Sequence, residues 1–122
     1  MIAIIYESRP NVTADAAALC IKSGNAEVLR GGSEAIRSNL AIAGVISRAL
    51  ESVGLPGECV CALDDTSRAA ANELMRMKGL IDLLIPRGGK ALIRAVVDSA
   101  TVPVIETGAG NCQVFIDSSA DS

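Results

Sequence analysis

Short apolar runs alternate with helix-like stretches along almost the whole chain, and no other feature limits the fold so sharply. Residues 2–6 (IAIIY), 26–29 (AEVL), 58–63 (ECVCAL), 80–86 (LIDLLIP), 102–106 (VPVIE) and 113–117 (QVFID) have the length and composition of strands. Between them the period changes to that of a helix. Thr13 can cap an alanine-rich helix that Gly24 stops. Ser33 can cap a second, in which Ile36, Leu40, Ala43, Ile46 and Leu50 recur every three or four positions until Gly54 and Pro56 end it. Asp64, Asp65 and Thr66 open a third, which carries Ala70, Leu74 and Met77 on one side and stops at Gly79; KALIRAVVDSA supplies the fourth. Near-continuous apolar strands joined through helices imply parallel β-α-β units, because only a sheet covered on both faces hides strands with no polar side. The expected fold class is α/β, a doubly wound, mostly parallel, Rossmann-like sheet with helices on both faces.

Composition agrees with thin layers of helix on sheet: half of the 122 residues are hydrophobic, yet aromatics make up only 2%. One domain is expected. The net charge of -3 and the lack of a lysine-arginine stripe argue against a nucleic-acid partner. No apolar stretch approaches the roughly 18 residues a membrane span needs, and MIAII is too short for a signal-peptide core, so a cytoplasmic protein is expected. Cys20, Cys59, Cys61 and Cys112 follow no metal spacing and the chain has no histidine, so no metal is expected. Cys59 and Cys61, two apart on a strand, read as a buried structural pair.

Two strand-to-helix turns repeat one outline. LRGGSEAI (29–36) and PRGGKALI (86–93) each reach an arginine and two glycines before a helical pattern begins. In an open parallel sheet ligands settle outside the carboxyl ends of the strands, where helix N-termini offer unpaired N–H groups. Glycines let the main chain approach an anion there, and Arg30 or Arg87 can fork onto a phosphate. Together the turns point to a nucleotide, although neither matches GxGxxG or the phosphate loop. The plain alternative stays open: glycines that only permit a tight connection, and solvated arginines. A second constellation is Glu106 before the turn TGAGN and Cys112, where the residues alone nominate a general base and a thiol nucleophile. A buried cysteine and a solvated glutamate account for the same residues.

IIYESRPNVTADAAALCIKSGNAEVLRGGSEAIRSN, IDLLIPRGGKALI and VPVIETGAGNCQVFID, in this order over nearly the whole chain, resemble the nucleotide-binding region of the gamma-glutamyl phosphate reductases, a branch of the aldehyde dehydrogenase superfamily. The resemblance implies a partial NADP-binding domain over residues 1–122 and an NADPH-dependent reduction of L-glutamyl 5-phosphate to L-glutamate 5-semialdehyde in proline biosynthesis. It places Arg30 and Ser33 near the adenosine ribose and its 2′-phosphate, and Gly88 and Gly89 at the pyrophosphate. Glu106 falls at the superfamily's active-site glutamate, and Ser8 and Asn11 near its oxyanion asparagine. It also overturns the nomination of Cys112, since the family's nucleophilic cysteine lies in a later segment, absent here together with the oligomerisation strands of what is expected to be a homo-oligomer. Gln113, Ala91 and the charged Glu27 within a strand depart from the family pattern, with Ala91 placed to crowd the phosphate turn. A non-catalytic nucleotide- or anion-binding module and the reductase half of a bifunctional pyrroline-carboxylate synthase are the alternatives.

Overall fold

A computed structural model of the chain describes residues 1–106 and 113–119. Its elements alternate as the sequence pattern requires. Strand β1 (Ile2–Tyr6) leads to helix α1 (Asn11–Lys22), β2 (Glu27–Arg30) to α2 (Ile36–Ser52), β3 (Val60–Ala62) to α3 (Arg68–Leu74), and β4 (Leu83–Arg87) to α4 (Lys90–Ser99). Single 3-10 turns, Ser33–Ala35 and Gly57–Cys59, precede α2 and β3. The four strands form one sheet in the order β3-β2-β1-β4, every pair parallel.

β1 lies between β2 and β4 and therefore has no polar side. Its alternate residues enter two cores. Ile4 and Tyr6 pack with Leu29, Val60, Ala16, Ala17 and Cys20 beneath α1 and α2. Ala3 and Ile5 pack with Leu84, Leu74, Met75 and Val96 beneath α3 and α4. Small side chains at 16, 17 and 43 replace the missing aromatics and let helices approach the sheet closely. The doubly wound reading is therefore correct: the chain steps from β1 outward to β3, then returns through α3 to the opposite side of β1.

Several local expectations need correction. The fifth strand is only a bridge, Leu84 to Val104, held by Leu84 N–H to the Pro103 carbonyl at 2.8 Å and Ile105 N–H to the Leu84 carbonyl at 3.0 Å. Pro103 has no N–H to extend the ladder. Residues 113–117 are no strand; among the described residues no neighbour takes up their main-chain bonds, and Val114, Phe115 and Ile116 are exposed. Thr13 is no cap: α1 starts earlier, at Asn11, and the buried Thr13 hydroxyl turns inward to Tyr6. Ser33 makes no capping bond either, because it already belongs to the 3-10 turn that Gly32 opens. α3 starts later than Asp64, at Ser67, whose side chain accepts from Ala70 N–H at 3.1 Å. Cys59 and Cys61 are not a buried pair, since Cys59 precedes the strand and Cys61 lies exposed on edge strand β3. Gly24 ends α1 as expected, with φ 75°.

Among the described residues Glu27 is the one charged residue whose side chain is buried in the core, 1% exposed on the same face of β2 as Leu29. Neither carboxylate oxygen has a hydrogen-bond partner among the described residues. Burial pushes its carboxyl up to about 7, an effect the neighbouring Cys20 thiol only partly offsets. Cys20 in turn is pushed up to about 12, first by its own burial and then by Glu27.

Candidate functional site

All strands run the same way, so the loops after β1, β2 and β4 open on one rim of the sheet. The register aligns Ile5 with Arg30 and Tyr6 with Arg87, which sets the β1 loop, Glu7 to Pro10, between the two Arg-Gly-Gly turns. This is also where the chain order reverses, with β2 on one side of β1 and β4 on the other, the place at which an open α/β sheet forms a crevice.

Gly88 and Gly32 are approached closely by side chains of the rim. A Cβ on Gly88 would lie 2.5 Å from Glu7 Oε2 and 2.8 Å from Leu92 Cδ2. One on Gly32 would lie 2.6 Å from Glu34 Oε2 and 3.3 Å from the Ser8 nitrogen. Glu7 joins its neighbours twice: its N–H donates to the Arg87 carbonyl at 3.2 Å, and its carboxylate accepts from Gly89 N–H at 2.9 Å. The carboxylate thus sits where the first turn of α4 presents its positive end. Ser8 follows with φ 32°, a left-handed conformation uncommon outside glycine, and its hydroxyl lies 3.4 Å from Glu34 Oε2.

Each residue nominated from sequence has a definite place. Gly88 and Gly89 are exposed at the rim, at the start of α4. Arg30 is half-buried; its Nη2 donates to the carbonyls of Thr66 and, at 3.3 Å, Ser67, while its buried Nε has no acceptor among the described residues. Arg30 therefore ties the first turn to the loop before α3. The same loop is held by Asp65, which accepts from Ser67 N–H at 2.7 Å; that bond holds its carboxyl below the usual carboxylate range. Ser33 and Ser8 are exposed at the rim. Asn11 is exposed but bonds to Asp15 within α1 at 3.3 Å. Glu106, two residues beyond the Leu84–Val104 bridge, is exposed on the same rim. Ala91 is exposed in the first turn of α4. Cys112 lies outside the described residues.

Sequence reasoning missed Glu7 and the buried trio Tyr6, Thr13 and Asn39. Tyr6 and Thr13 share a 2.6 Å hydrogen bond, and Thr13 Oγ1 lies 3.3 Å from Asn39 Oδ1. Spacing held one signal for Asn39, which stands four residues before Ala43 on the buried stripe of α2. Among the described residues no group of three or more His, Cys, Asp or Glu could hold a metal ion, and no helix is long and apolar enough to cross a membrane. A hollow of about 340 Å³ between α2 and β3, lined by Leu40, Ser47, Val60 and Cys61, lies away from this rim.

The chain is 63% identical over 121 residues to a gamma-glutamyl phosphate reductase of Clostridium perfringens, covering 99% of the chain. Over nearly its whole length it is similar to the gamma-glutamyl phosphate reductases. The crystal structure of that reductase from Thermotoga maritima superposes with a TM-score of 0.87 at 51% identity, covering 98% of this chain. The chain spans 29% of the length of either of these proteins. An engineered glycolyl-CoA reductase with bound NADP+ shares the fold, with a TM-score of 0.76 at 24% identity over 90% of this chain and 25% of its own. No family model matches the chain. The reductase likeness accounts for a doubly wound sheet with glycine turns on one rim.

Proposed function

We propose that the chain is the nucleotide-binding part of a cytoplasmic, homo-oligomeric reductase that converts L-glutamyl 5-phosphate to L-glutamate 5-semialdehyde and phosphate with NADPH. The observation that carries this reading is the meeting of both Arg-Gly-Gly turns at the crevice beside the β1 loop. Exposed and without side chains of their own, Gly88 and Gly89 let a diphosphate approach the first turn of α4 once the Glu7 carboxylate beside them swings aside. Gly89 N–H is held by a carboxylate, so the position already accommodates an anionic oxygen. Arg30 and Ser33 lie across the β1 loop, on the side where the ribose and its 2′-phosphate would rest. A bound nicotinamide dinucleotide would supply the hydride.

The described residues supply binding and orientation. None of their thiols lies at the crevice: Cys20 is buried under α1 and stays protonated near neutrality, and Cys59 and Cys61 stand at the far edge strand. Covalent attack on the acyl phosphate belongs to a thiolate elsewhere in the reductase. Our candidates for contact with a substrate carbonyl are Glu106 and, as oxyanion donor, Ser8 or Asn11.

Titration of the chain with NADPH and NADH, followed by nicotinamide fluorescence or calorimetry, tests the reading. Saturable NADPH binding is expected, and its absence removes the cofactor assignment. Arg30→Ala is expected to weaken NADPH about tenfold more than NADH, as loss of a charge-assisted contact to the 2′-phosphate would. Equal losses would instead assign Arg30 to holding Thr66 and Ser67. A second reading is a binding module without chemistry, which saturable binding with no reduction of the acyl phosphate would support.

A further inference from the structure

Three side chains from three elements meet beneath the first Arg-Gly-Gly turn: Tyr6 of β1, Thr13 of α1 and Asn39 of α2, each no more than 1% exposed. Their hydroxyls and carboxamide order themselves. With Asn39 Oδ1 accepting from Thr13, the single Thr13 proton is committed, so Tyr6 must donate to Thr13. Burial raises the Tyr6 pKa, which keeps the phenol a donor. This relay leaves Asn39 Nδ2 buried with no acceptor among the described residues. An unmet buried donor weakens the fold, and an apolar residue would pack there at no such cost.

What Nδ2 faces is the turn. A Cβ on Gly31 would stand 2.2 Å from Asn39 Nδ2 and 3.1 Å from Tyr6 Cζ and Oη. The carboxamide and the phenol ring are therefore the floor on which Gly31 rests, and no residue larger than glycine fits above them.

We infer that Asn39 is a positioning residue of the crevice: anchored through Thr13 to Tyr6, its carboxamide sets the path of the main chain at the buried Gly31 and so the place where the flanking Arg30 and Ser33 meet a ligand. The inference rests on the nucleotide-binding reading. It makes the relay, which touches no ligand, a determinant of affinity.

Thr13→Val removes only the hydroxyl and severs the relay at its middle. Measured where circular dichroism shows the full chain folded, this variant is expected to bind NADPH about fivefold more weakly, the effect of one neutral hydrogen bond. Thr13→Ser restores the hydroxyl and is expected to restore affinity. An unchanged NADPH affinity in Thr13→Val, or no recovery in Thr13→Ser, overturns the inference. A double-mutant cycle adds a second reading: Gly31→Ala should weaken NADPH less in an Asn39→Ala background, where the floor is gone, and strict additivity also overturns it. If the unaltered chain binds no NADPH, the nucleotide reading fails by itself. Positioning is then read from the amide 15N shifts of Gly31 and Gly32, which move in Thr13→Val if the relay sets the turn and stay fixed if it does not.

Discussion

Glu27→Leu should make the chain more stable, and by an amount that grows with pH. The carboxyl is buried with no oxygen or nitrogen partner among the described residues, and its pKa is raised from 4.5 to about 7, the Cys20 thiol offsetting the burial only in part. A carboxyl whose folded-state pKa exceeds its unfolded one lends its full stability below the unfolded value. That stability is lost as pH rises through 4.5 toward 7, because the folded chain must then ionise a group the core cannot solvate. At about 1.4 kcal/mol per unit, the difference between 4.5 and about 7 amounts to about 3 kcal/mol. That is a large part of the roughly 5–15 kcal/mol typical of a domain. Leucine fills a similar volume and never ionises. Urea unfolding followed by circular dichroism, at about pH 4 and pH 8, should show the stability gap between variant and parent widening by about 3 kcal/mol. Glu27→Gln separates charge from polarity: it should lose the pH dependence as leucine does, yet stay less stable throughout because the amide remains buried and unpaired. A gap that stays constant between the two pH values would show that Glu27 ionises in the folded chain as freely as in the unfolded one, and would refute the reasoning.

Two further predictions concern the rim. Gly88→Ala places a Cβ 2.5 Å from Glu7 Oε2, but Glu7 is exposed and its carboxylate can swing aside. The expected stability loss is about 1 kcal/mol in urea unfolding, whereas NADPH affinity falls at least about tenfold because the Cβ occupies the approach to α4; a large stability loss with unchanged affinity would count against Gly88 as a contact. Glu7→Ala frees the Gly89 N–H and removes a negative charge from the same turn, so NADPH should bind about threefold more tightly in a fluorescence titration. A weaker complex would mean that the carboxylate shapes the turn more than it competes for it.

Period and punctuation made the fold class legible. Alternating apolar runs and helical stripes require a parallel sheet covered on both faces, and the two cores meet that requirement on either side of β1. Strand order was not legible, because nothing in β4 itself says that it pairs with β1, and only that pairing brings Gly88 beside Glu7. An apolar run reports the capacity to join a sheet and nothing about a partner; residues 113–117 have the run but no partner among the described residues.

The same division runs through the candidate site. Glycine turns were found because their signal is local: a positive helix end and a missing Cβ can be read within eight residues. Thr13, Asn39, Glu7 and Glu27 were missed or misread because each is defined by a contact or a burial that spans elements. A threonine ahead of an apolar run reads as a cap, yet its hydroxyl faces Tyr6 and, 26 residues on, Asn39. Glu27 shows where local information was sufficient although its burial was not read from it. It stands two residues before Leu29, so the strand period alone assigns it to the inward face. Period fixes orientation whatever the side chain's charge, and a charge oriented inward by its period must either find a partner or shift its pKa. Here the Cys20 thiol offsets the burial only in part, so the physical consequence is a pH-dependent core, its inward charge readable in principle from residues 27–29 once the strand is recognised.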